Sequence, residues 1–295
     1  MRVAVFTSVT LVIVAVIAAQ VFRSPRELLD EQDMTASEVL RGMIQKYQQA
    51  TSYSDQGVIR VTQISAEQQV QQSAPFAVQF ERSGRLRVRA YEILLASDGK
   101  RLRARYMDPS VPDLSRQTLD VAAPSEMDLA MLQFDNFLWE HLDGGMGGLP
   151  VSLRLLLDSD ALADVFAEDV DLELQTPQMI GDDRCYVVGA KSAGGAVEFW
   201  VDAKDFILRR FEYPALDGFR LRADFVGASW QVTGSDGAFQ LPKQEQVRRV
   251  THFVIPPQPL PTKIFGQAVN RFEFREVGGE LISATQLAGI NKVLV

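Results

Sequence analysis

The chain has 295 residues, 46% of them hydrophobic and 23% charged, with 30 Lys+Arg against 38 Asp+Glu. A formal charge of −8 speaks against nucleic acid as a partner, because phosphate binding draws on a surplus of cations that displaces counterions. One cysteine, Cys185, excludes an intrachain disulfide and a Cys-rich metal cluster, so the fold must rest on its core.

Arg2 precedes an uncharged, apolar-biased run from Val3 to Phe22, and Arg23 and Arg26 follow it. Some 20 such residues are long enough to cross ~30 Å of hydrocarbon as a helix. Residues 1–23 are therefore expected to be a membrane-targeting segment. Either a signal peptide cut near Ala18 or Ala19 or a retained anchor fits, and both send the remainder out of the cytoplasm.

Thr35 and Glu38 have the spacing of a capping box, and Val39, Leu40, Met43, Ile44 and Tyr47 recur at helical intervals, which predicts a helix over 35–50. The period then changes to two. Val58, Ile59 and Val61 open a strand, and Phe76, Val78 and Phe80 alternate with Ala77, Gln79 and Glu81. After the Ser83-Gly84 turn, Leu86, Val88 and Ala90 alternate with Arg85, Arg87 and Arg89. An apolar run, Ile93–Ala96, meets Asp98-Gly99, a strong hairpin signal, and Leu102, Ala104 and Tyr106 alternate with Arg101, Arg103 and Arg105. The pattern is an antiparallel meander with one apolar face and one rich in arginine.

A helix is expected over about 126–143, broken by the glycines of Gly144–Gly148, with shorter helices within Leu149–Leu157 and Asp160–Phe166. The glycines read as a hinge that would let the helical insertion move as a lid. Strands resume at Val170–Gln175, Arg184–Ala190, Ala196–Asp202, Phe206–Tyr213, Phe219–Ala228 and about 244–254. Helix, strands, helical insertion, strands is the order of an α+β fold with a mainly antiparallel sheet, not of a βαβ nucleotide-binding domain.

Tyr47-x5-Tyr53-x-Asp55-x-Gly57-x-Ile59, then Phe80-x-Arg82-x-Gly84-x-Leu86-Arg87, Ser97-Asp98-Gly99-Lys100, and Phe199-Trp200-Val201-Asp202 with Leu208-Arg209-Arg210 form an ordered set. Together they resemble the periplasmic LolA/LolB-like lipoprotein-carrier superfamily, and within it the predicted-periplasmic branch often found beside redox domains. The resemblance covers residues 35–254. It implies a curved, incompletely closed antiparallel β-barrel covered by helices, preceded here by the N-terminal transmembrane or signal helix. It also implies binding of an acyl chain or an acylated protein in the hollow, with no cofactor and no catalysis.

Beyond the Pro-rich linker 255–262, the segment 263–295 is similar to the start of a TlpA-like thioredoxin or peroxiredoxin domain, through Ile264, Phe265, Gly266, Phe272, Phe274, Gly278, Gly279, Leu281 and the strand ending at Val295. In that family a Trp-Cys-x-x-Cys site would follow within a few residues of Val295. The alternative reading is thus a fragment of a membrane-tethered thiol oxidoreductase, with an envelope redox partner and without its cysteines.

Other chemistry finds little to stand on. Cys185 lies in a strand pattern without a second thiol, and His141 and His252 are far apart, without metal-ligand spacing. The arginine ladder is either the wet side of a half-buried sheet, balanced by acids, or a surface for anionic headgroups or an acidic partner. Arg82 falls on the apolar side of its strand, where it reaches water from the strand end or meets the C-terminal carbonyls of a lid helix. Alternation gathers Phe76, Val78, Phe80, Leu86, Val88, Val197, Phe199, Val201, Phe211 and Phe225 on one face, with Trp139 above them. They are the candidate lining for an apolar ligand, or else they fill a dry core; an envelope scaffold with a solid barrel is the third reading.

Overall fold

The computed structural model describes residues 34–64, 69–144, 148–193, 195–216, 219–232, 236–244 and 247–255, together with the short strands 263–264, 267–268, 275–277 and 280–282. The expected membrane segment 1–23 and most of 255–295 lie outside the described residues. Among those described, no helix is long and apolar enough to cross a membrane.

Helix α1 spans Ala36–Gln49. Glu38 N–H donates to Thr35 Oγ1 at 3.2 Å while Thr35 N–H donates to Glu38 Oε2 at 2.8 Å, which satisfies two of the amides that a helix start leaves open. Hydrogen bonding to Thr35 also holds the Glu38 pKa below the usual carboxylate range. Val39, Leu40, Met43 and Tyr47 form the buried stripe that the helical period predicts.

The strands are β1 (Ser52–Ile64), β2 (Gln69–Glu81), β3 (Arg85–Ala90), β4 (Ile93–Asp98), β5 (Arg101–Tyr106) and β6 (Gln117–Ala122), then β7 (Asp171–Ile180), β8 (Asp183–Ser192), β9 (Gly195–Asp202), β10 (Leu208–Leu216), β11 (Phe219–Ser229) and β12 (Arg248–Val250). They form one twelve-stranded sheet in the order β12-β6-β5-β4-β3-β2-β1-β11-β10-β9-β8-β7. Two antiparallel meanders are joined where β11 returns to pair with β1, and the single parallel pairing is β12 on β6. The short helix α2 (Pro112–Ser115) leads into β6; α3 (Asn136–Asp143) and α4 (Val151–Leu157) connect the two meanders. The sheet is open and curved. It curls around α1, which touches β7, β8 and β9 while its C-terminal carbonyls receive Arg82 from the end of β2, six places away in the strand order.

Several expectations need correction. The helix expected over 126–143 is a 3-10 turn, Ala130–Leu132, followed by α3, because Asp135 starts a new helix: its Oδ1 accepts the Leu138 N–H at 2.8 Å and its Oδ2 the Phe253 N–H at 2.8 Å. Asp160–Phe166 holds only a 3-10 turn, Ala163–Phe166. The strand expected over 244–254 shortens to β12, and β6 has no counterpart among the expected strands.

β4 is buried on both faces. Its inner face joins the core, while Phe239 covers the outer side of β3 and β4. The arginine ladder fastens that cover: Arg85 stacks 4.4 Å from the Phe239 ring centre, Arg87 donates to Ala238 O at 2.9 Å and Arg105 donates to Pro242 O at 2.7 Å.

Candidate functional site

An open hollow of about 610 Å3 lies between the inner face of β8–β11 and the cover formed by α4 and the 3-10 turn 163–166. Alternation builds its wall, with Val197 and Phe199 from β9, Phe211 and Tyr213 from β10, and Phe219 and Leu221 from β11. Phe199 and Phe211 are cross-strand partners with ring centres 5.4 Å apart, and Tyr213 meets Phe211 edge-on at 4.9 Å. Leu149, Val151, Leu162 and Val165 form the roof. Tyr213 and Phe219 are about half exposed and make an apolar rim. The size falls in the roughly 300–1,000 Å3 range of small-molecule sites.

Of the residues singled out from the sequence, Val197, Phe199 and Phe211 line this hollow. Phe199 and Phe211 do so from within the same packed core that holds Phe76, Val78, Phe80, Leu86, Val88, Val201 and Phe225, which lie away from the hollow, and Trp139 is half-buried against that core. Of that expected set, the residues that border the hollow are on β9 and β10. On the β1–β3 side the protein's own rings fill the space: Phe76 and Phe225 pack edge-on at 5.1 Å, and a Cβ on Gly57 would stand 2.3 Å from the Phe76 ring. Tyr213 and Leu221 escaped the sequence reading although they continue the same period as Phe211 and Phe225. The roof residues carried no comparable signal, since their helices are too short to show a periodic stripe.

Arg82 binds the ends of two helices. Its guanidinium donates to Tyr47 O at 3.2 Å, Gln48 O at 2.7 Å and Ala50 O at 3.1 Å at the C-terminus of α1, and to Leu156 O at 3.4 Å in α4. A cation there meets last-turn carbonyls at the negative ends of the helix dipoles, Tyr47 O among them, which also accepts the Ala50 N–H at 3.2 Å. Arg82 also stacks 4.7 Å from the Phe80 ring centre.

Beneath α4 runs a buried polar chain. Leu208 N–H donates to Tyr47 Oη at 3.3 Å, Tyr47 Oη donates to Tyr53 Oη at 3.1 Å, and Tyr53 Oη donates to Asp55 Oδ2 at 3.0 Å. Val78 N–H donates to Asp55 Oδ1 at 2.8 Å. Burial pushes the Asp55 carboxyl up to about 6, against the opposing effects of Ser152, Tyr53 and Val78. The Ser152 hydroxyl of α4 lies close enough to Asp55 to lower its pKa, yet it makes no hydrogen bond of good geometry among the described residues. One short helix thus carries hollow-facing Val151 and Arg154 on one side and core-facing Ser152 on the other.

The remaining chemical candidates are engaged elsewhere. Cys185 is buried beside Val187 and Trp200, and burial pushes its thiol up to about 12, which suppresses the thiolate. His141 Nδ1 contacts Phe137 O at 2.9 Å, and His252 lies 3.6 Å from Asp135. Among the described residues, no group of three or more His, Cys, Asp or Glu side chains is placed to hold a metal. In the arginine ladder, Arg101 and Arg103 reach the nearly buried Asp120 at 2.8 and 3.4 Å, and Arg103 also pairs with Asp98 at 3.3 Å.

No protein-family model matches the chain, and no curated protein matches it. Among solved structures, the chain is similar to an uncharacterized conserved protein from Thermus thermophilus, at 13% identity and a TM-score of 0.38, over 73% of this chain and 99% of that one. It is also similar to a LolA superfamily protein from Nitrosomonas europaea, at 13% identity and a TM-score of 0.26, over 70% of this chain and 98% of that one. The lipoprotein LppX from Mycobacterium tuberculosis is similar at 11% identity and a TM-score of 0.35, over 67% of this chain and 97% of that one. The thioredoxin-like reading of 263–295 has no support among these structures.

Proposed function

We propose that the chain is an extracytoplasmic binding module that takes the apolar part of a lipid or of an acylated protein into the hollow beneath α4, delivered to its compartment by residues 1–23. One observation carries this reading: an open space of about 610 Å3 whose wall and roof are mostly aliphatic and aromatic. Each Å2 of apolar ligand surface moved from water into such a space contributes about 25 cal/mol, without any directional contact. In this reading the module binds and does not catalyse. Arg82 and α4 supply the cover, with Arg82 as the contact that holds it closed.

The test is native mass spectrometry of the full chain purified in mild detergent, alone and with added oleate. A lipid-sized adduct is expected on the parent protein and on Met179→Glu, a control at a 60% exposed position outside the hollow. Phe199→Glu and Phe211→Glu are expected to lose the adduct, because either places a carboxylate against the apolar tail. A Phe199→Glu protein that stays folded by circular dichroism and carries the same adduct would overturn the assignment.

A further inference from the structure

We propose that the occupant of the hollow is a zwitterionic amphiphile, its headgroup phosphate met by Arg154 and its ammonium by Asp164, an inference that rests on the reading of the hollow as a lipid site. Among the described residues, Arg154 and Asp164 are the two charged side chains that line the hollow, both exposed, and opposite in sign. Arg154 is only loosely engaged: its contact with Asp143 is 3.7 Å long, between side chains 44% and 39% exposed. An exposed pair of that kind is worth little and exchanges readily for a better partner. Asp164 has no ion pair among the described residues.

Tyr213 lines the same hollow as the two charges. Its phenol stands at the rim, where burial is the largest cause of its raised pKa, the charge of Asp164 raises it further and the charge of Arg154 lowers it. Both groups therefore act on the same ring from the mouth of the hollow. The turn that presents Asp164 is entered through Leu162 at φ +62°, a left-handed conformation that leucine rarely adopts. Leu162 itself lines the hollow, so the strained residue is the one that directs its side chain at the apolar wall while the next turn offers Asp164.

The charge pattern discriminates among headgroups. A purely anionic head gains Arg154 but is opposed by Asp164, and an uncharged head leaves both charges unmatched while covering them. A head with adjacent phosphate and ammonium answers both, and a guanidinium suits phosphate through its fork of donors. A primary ammonium brings three donors to the free carboxylate.

The experiment uses single-chain lipids that share one tail: 1-oleoyl-lysophosphatidylethanolamine, 1-oleoyl-lysophosphatidylglycerol and monooleoylglycerol, competing for the 295-residue chain in native mass spectrometry. The zwitterion is expected to be retained several-fold over the other two, since one partly exposed charge pair is worth roughly a 1.4- to 5-fold change and two act here. Arg154→Gln should lower retention of both phospholipids and leave monooleoylglycerol unchanged. Asp164→Asn should abolish the preference of the zwitterion over the anion by improving retention of the anion. Equal retention of all three lipids, or an unchanged zwitterion-to-anion ratio in Asp164→Asn, would overturn the headgroup assignment while leaving the hollow as a lipid site. Retention of none of them would remove both.

Discussion

Asp55 offers a direct test of how the core is built. It is buried, and its two protein donors, Tyr53 Oη and Val78 N–H, are both neutral. With the folded pKa at about 6 against an ordinary 3.8, the difference of about 2.2 units corresponds to about 3 kcal/mol, at 1.36 kcal/mol per unit. The native state holds this proton more tightly than the unfolded chain does, so between about pH 4 and pH 6 unfolding releases it. Stability from this group is fully present below about pH 4 and is lost as pH rises through 6. Asp55→Asn cannot ionise. It carries a pH-independent offset of about 1 kcal/mol for an imperfectly replaced hydrogen bond, because its amide nitrogen faces a donor. The stability of the variant relative to the parent should therefore rise by about 3 kcal/mol between pH 4 and pH 8. Urea unfolding followed by tryptophan fluorescence suits the measurement, as Trp230 packs 4.9 Å from Tyr47 and 5.5 Å from Tyr53. Parallel pH profiles for the two proteins would refute the argument, since they would mean that Asp55 is solvated or paired with a cation in the folded state.

Two further substitutions probe the frame around the hollow. Arg82→Ala removes the donor set that joins the C-terminus of α1 to α4 and is expected to lower stability by about 1–3 kcal/mol in urea titrations. Arg82→Lys should restore only part of this, because one ammonium cannot fork between carbonyls of two helices. Gly57→Val places a side chain 2.3 Å from both Asp224 O and the Phe76 ring, and a cost above about 3 kcal/mol is expected, read as a lowered midpoint or a non-cooperative melt.

Local chemistry alone dictated a good part of this molecule. The Thr35–Glu38 cap and the stripe through Tyr47 specify α1, the Asp98-Gly99 turn specifies the β4–β5 hairpin, with Gly99 at φ +83°, and strict alternation puts the arginines of β3 and β5 opposite their apolar neighbours. Such signals involve residues within a few positions of one another. The apolar run Ile93–Ala96 lies within a meander expected to have one apolar and one arginine-rich face, yet the strand is buried on both, because Phe239 from far along the chain covers its outer side.

Tertiary structure decided everything that required distant segments to meet. The return of β11 to β1 joins two meanders into one sheet, and Asp135 divides its two oxygens between α3 and Phe253, 118 residues away. Arg82 finds its carbonyls on helices that precede and follow it by dozens of residues. Above all, Phe76 and Val197 belong to equivalent inward-facing patterns, yet one is packed beneath neighbouring rings and the other is half-buried and borders open space. Periodicity states which way a side chain points, because that depends only on backbone geometry. Whether the space in front of it is filled depends on where the connecting helices come to rest, and that is set by the packing of the whole chain.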